Sequence, residues 1–136
     1  MLPKEHQTLK MHILIICVLN CFSDNFKSNH YKNQVDGNYN KNFYIILLSI
    51  LNEHNYLEFK IMKGVNIKQH LHFWLESESY MIDFKNDIFS FLVHRNDFML
   101  NFDYFLNNEQ LHLDVISDEA KDLLVKFKHC FYENYF

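Results

Sequence analysis

A chain of 136 residues is long enough to bury one hydrophobic core and too short for two. Hydrophobic residues make up 49% and aromatics 17% of it, which excludes a disordered chain, and a net charge of −4 without any basic cluster argues against a phosphate-tracking surface. With only two Gly and one Pro it also lacks the glycines that a P-loop or a dinucleotide fingerprint needs for close backbone approach.

In chain order, residues 11–22 form an apolar run, too short for a bilayer, which takes about 20 residues. It has the character of a signal h-region were translation to start at Met11. No small-residue cleavage site follows, however, and Asn20 before Cys21 spoils a lipoprotein reading, so a buried helix is expected. Residues 23–41 are polar and Asn-rich, with turn chemistry in Val35-Asp36-Gly37-Asn38. A second apolar helix over 42–54 leads into a strand over 56–62, with Leu57, Phe59 and Ile61 alternating against Glu58, Lys60 and Met62. Residues 64–68 form a turn. Two alternating segments follow, Gln69-His70-Leu71-His72-Phe73-Trp74-Leu75-Glu76 and Tyr80-Met81-Ile82-Asp83-Phe84. Residues 86–93 are apolar without a decisive period, 97–106 are aromatic-rich and equally ambiguous, and 111–116 alternate as a strand. The last segment is a helix: Ser117 caps it, Asp118 and Glu119 suit its first turn, and Ala120, Leu123, Leu124, Phe127 and Phe131 share one face. One α+β domain over residues 1–136 is expected, an antiparallel sheet with helices packed on it.

The two alternating segments carry the chemistry. Folded as an antiparallel hairpin around Ser77-Glu78, they pair Leu71 with Phe84, Phe73 with Ile82 and Leu75 with Tyr80 on one face. His72 then faces Asp83 on the other, with Cβ atoms roughly 4.5–5.5 Å apart. An imidazole and a carboxylate so placed form a base–orienter pair. The face shared with His70, Trp74 and Glu76 reads as a solvated or cleft-lining surface, with Trp74 as a lid or a packing residue.

The order of apolar helix, strand ending in Gly64, His72-Phe73-Trp74-Leu75-Glu76 and Met81-Ile82-Asp83 resembles the core of the transglutaminase-like, broadly papain-like, superfamily. The resemblance covers residues 42–84. It implies a transglutaminase-like α+β fold and a Cys-His-Asp triad doing acyl transfer or amide hydrolysis through a thioester. His72 would take the thiol proton and Asp83 would hold its tautomer. In that family the nucleophilic cysteine begins the helix before the first strand, where the dipole lowers its pKa. Here that helix begins near Asn40-Lys41-Asn42-Phe43, which contains no cysteine. Cys21, upstream, takes the role if residues 22–31 are helical with Cys21 at their start, or if the helix order is permuted.

Three cysteines, Cys17, Cys21 and Cys130, with no CxxC indicate neither a disulfide framework nor a zinc knuckle. Reduced thiols in a cytoplasmic protein are the expectation, with Cys17 and Cys130 as packing residues and Cys21 as either nucleophile or buried helix cysteine. The leading functional expectation is therefore cysteine-dependent acyl transfer or amide hydrolysis by Cys21, His72 and Asp83, on a peptide or protein. No cofactor, nucleic acid or membrane is expected to take part. An inactive domain of the same fold that binds another protein is the first alternative. A metal-dependent hydrolase using His70, His72 and Glu76 is the second.

Overall fold

The computed structural model of the chain describes residues 4–25, 38–65, 71–83, 92–94, 108–111 and 117–135. Three helices are found there, α1 (Lys4–Asn25), α2 (Asn38–Glu53) and α3 (Asp118–Tyr135). The strands are β1 (Lys60–Val65), β2 (Leu71–Glu76), β3 (Tyr80–Ile82), β4 (Leu92–His94) and β5 (Asn108–Leu111). They form one antiparallel sheet in the order β4-β3-β2-β1-β5. The α+β expectation is met in this coarse sense.

Each helix follows from its apolar spacing. On α1, Met11, Leu14, Ile15, Val18, Cys21 and Phe22 recur every three or four residues and are buried. The helix runs beyond the expected 11–22 at both ends. α2 is apolar nearly all round, with Phe43 to Leu48, Ile50 and Leu51 buried, as befits a central helix. It touches α1, α3, β1 and β2, and so lies between the other helices and the sheet. Ring packing of Phe22 on Phe43 (5.2 Å) and on Phe127 (6.3 Å) ties the three helices together.

The helix ends are closed locally. Ser117 accepts the Ala120 N–H through Oγ (3.1 Å), the expected N-cap of α3. At the end of α2, Tyr56 N–H donates to the Leu51 carbonyl (2.9 Å) and Asn55 N–H to that of Asn52 (3.1 Å), with Asn55 at φ 70°. This is a Schellman ending with Asn in the left-handed position usually held by Gly. It moves the first strand: with residues 54–56 taken up in the turn and Leu57 and Glu58 exposed, pairing begins at Lys60 and not at 56. The strand then continues through Gly64, which pairs with His72 and is no part of a turn. Pairing near the far edge begins earlier than expected, at Asn108, and residues 112–116 lie outside the described set, as do 97–106 and most of 86–93.

α2 and α3 are also joined by polar contacts. Glu53 accepts from Tyr132 Oη (2.6 Å) and from Lys128 Nζ (2.7 Å), while the Tyr132 ring stacks on His54 (centroids 6.1 Å, 14°). Burial alone would raise the Glu53 carboxyl, but the hydrogen bonds from Lys128 and Tyr132 outweigh it and hold it below the usual carboxylate range. Tyr132→Phe should lower stability in urea by up to about 1 kcal/mol at neutral pH. Because the folded Glu53 value is depressed, its contribution is full above the unfolded value of about 4.3 and disappears as pH falls through the lower folded one. Glu53→Gln should flatten that acid limb of the stability curve.

Candidate functional site

Alternation along β2 sends Phe73 and Leu75 into the core shared with the helices, together with Ile61 and Ile82. His72, Trp74 and Glu76 go to the opposite face, beside Met62 of β1 and Met81 of β3. That face is not solvated: Trp74 and Met81 are 0% exposed, Glu76 3% and His72 6%. The expectation of a solvated or cleft-lining face is thus corrected, and of the two roles expected for Trp74 its burial fits the packing residue. The polar residues of that face are buried and paired.

The hairpin keeps the expected faces but not the expected register. Leu75 pairs with Ile82 and Glu76 with Met81, two residues away from the pairing anticipated from the apolar matches. Ser77 is the cause. Its Oγ accepts the N–H groups of Tyr80 (3.0 Å) and Ser79 (3.3 Å), and its own N–H donates to the Tyr80 carbonyl (2.8 Å). The turn therefore closes on Glu78-Ser79. A slip of two residues preserves every face, so Asp83, next after Ile82, still lies on the side of His72 and reaches it along the diagonal. His72 Nε2 and Asp83 Oδ1 are 2.8 Å apart, with side chains 7% and 10% exposed.

Neighbours shape this pair. Gly64 lies directly across from His72 on β1, so no side chain occupies the adjoining position on that face. The His72 ring stacks on Trp74 (centroids 6.0 Å, 22°), and Trp74 Nε1–H donates to Glu76 Oε1 (3.2 Å). Since a carboxylate only accepts, the His72 Nε2–H donates to Asp83 Oδ1. This is the geometry of a general base with its orienting acid.

The thiols are elsewhere. Cys21 is wholly buried in the helix-side core, and Cys17 and Cys130 pack against that same core. All three cysteines of the chain thus sit on helices on the side of β2 opposite to His72. Nor does Cys21 begin a helix: α1 runs through it to Asn25, so it lies near the C-terminal end, where the dipole disfavours a thiolate. Burial, followed by the neighbouring Cys130, pushes the Cys21 thiol up to about 12, the reverse of an activated nucleophile. The expected Cys21–His72–Asp83 triad is therefore brought together only in its last two members. Asn42, in the helix that carries the cysteine in the resembled family, is buried.

His70 lies outside the described residues, and Glu76 is engaged by Trp74. Among the described residues there is no group of three or more His, Cys, Asp or Glu that could hold a metal ion, and no helix long and apolar enough to cross a membrane. An open cleft of about 450 Å³ lined by Glu58, Lys60, Ser77 and Glu78 lies at the other end of β2 from His72. Sequence reasoning did not single out the Glu53, His54, Lys128 and Tyr132 cluster. The one local signal is that Lys128 and Tyr132 are a helical turn apart.

No protein-family model, no curated protein and no solved structure matches the chain.

Asp83→Ala takes the acceptor from a buried imidazole N–H and should cost about 2 kcal/mol by urea unfolding with an unchanged m-value. Ser77→Ala should loosen the turn without moving residues between faces. Faster hydrogen exchange at the Tyr80 amide, with His72 still protected from solvent, is the expected readout.

Proposed function

We propose that this chain is a transglutaminase-like domain that retains a base–orienter pair without a thiol beside it, and that it works by binding another protein. The observation that carries this reading is the partition across β2: His72 and Asp83 on one face, every cysteine on the other. A thioester mechanism requires a thiolate in contact with the imidazole, and a sheet strand stands between them. The His72–Asp83 contact and its strand order support the family resemblance, while the buried pair acts as a structural polar link. The binding part of the proposal draws on α1. There Leu9, Ile13 and Ile16 form an i, i+4, i+7 stripe that is 57%, 52% and 37% exposed, on the side away from the core.

Acylation and alkylation test the proposal together. The protein is incubated with an activated ester and, separately, with iodoacetamide, and adducts are mapped by mass. The expected result is slow iodoacetamide labelling of Cys21, unchanged in His72→Ala, and no acyl adduct that depends on His72. A cysteine acyl adduct formed by the wild type and lost in His72→Ala would overturn the reading in favour of cysteine-dependent acyl transfer.

A further inference from the structure

The buried thiol left out of the site has a partner of its own. Cys21 on α1 and Cys130 on α3 are neighbours in the core where the two helices meet. Each is held the same way from its own helix. Asn25 Nδ2 donates to the Cys21 carbonyl (3.0 Å) and reaches its Sγ (3.8 Å). Asn134 Nδ2 does the same to the Cys130 carbonyl (2.8 Å) and Sγ (3.5 Å). Each sulfur thus lies one turn before an amide of its own helix that reaches it. Both cysteines are in the thiol form, and Cys130 is half-buried while Cys21 is closed off.

We propose that Cys21 and Cys130 form a redox-closed staple between α1 and α3, made by exchange with a small-molecule disulfide. The Cys130 thiolate, the more accessible of the two, attacks one sulfur of the small disulfide and expels one small thiolate. The Cys21 thiolate then attacks the Cys130 sulfur of the mixed disulfide, forming the Cys21–Cys130 bond and expelling the second. Two protein thiols are oxidised, one small disulfide is reduced to two thiols, and the two protein protons end on those thiols. Burial of Cys21 makes the second step slow at neutral pH and faster as pH rises. The closed loop takes in most of the chain, the case in which a cross-link constrains the unfolded state most.

The test incubates the full chain with oxidised glutathione at mildly alkaline pH, followed by peptide mapping without reductant and thermal unfolding. The expected outcome is a Cys21–Cys130 linked peptide, Cys17 still open to alkylation, and a Tm raised by roughly 10 °C over the reduced protein. Cys17→Ser should close the same bond and show the same shift. Cys130→Ser should lose both, and Cys21→Ala provides the matching loss from the other helix. A linkage through Cys17, a glutathione adduct that never resolves, or dimers joined between chains would each overturn the proposal.

Discussion

Successive side chains of β2 point to opposite sides of the sheet, and here both sides are buried. That single alternation divides the described interior in two. Phe73 and Leu75 close a core built with all three helices, in which α2 is enclosed by α1, α3 and the sheet. His72, Trp74 and Glu76 close a second layer with Met62 and Met81. No rotamer change moves a group from one layer to the other, because that would require a one-residue slip of the strand and would expel Phe73 and Leu75 from the core. The separation of the thiols from the imidazole is therefore a property of the sheet and not of a side-chain conformation.

The second layer is unusual in being polar as well as buried. Two carboxylates and an imidazole out of water are tolerated only with partners, since an unpaired buried charge costs several kcal/mol. The described contacts supply them in sequence: Asp83 to His72, His72 stacked on Trp74, Trp74 to Glu76. Aromatic area and hydrogen bonds are combined in one strand, so that the indole ring provides packing through its face and a donor through its edge. Such a chain is worth more for fixing a single arrangement than for stability, because apolar residues of similar volume would pack there without desolvating charge.

How far the amino-acid sequence reveals this depends on the range of each signal. The capped helix α3 was legible because Ser117 and the stripe from Ala120 to Phe131 lie within a few turns of one another. The faces of β2 and β3 were legible too, since alternation is a parity and parity survives a slip of two. Their register was not. Leu75 opposite Tyr80 and Leu75 opposite Ile82 are both sound apolar pairs, and the decision fell to the Ser77 hydroxyl in the turn. The burial of Cys21 followed from its place on an apolar stripe, but which layer that stripe belongs to is a long-range fact. So is the Glu53 to Tyr132 contact, which spans 79 positions and leaves no local trace.

The contact between α1 and α3 bears on how the chain acquires its structure. Phe22 of α1 packs on Phe127 of α3, so the core face of the first helix is completed in part by a helix far along the sequence. During synthesis, α1 and α2 emerge with Phe22 still lacking that neighbour, and it stays so until α3 has left the ribosome. Closing so long a loop is costly in chain entropy and slows a transition state that requires it. A nascent chain stalled before residue 118 would present the apolar faces of two helices to solvent, which makes it a substrate for holding chaperones during the interval between the second helix and the last.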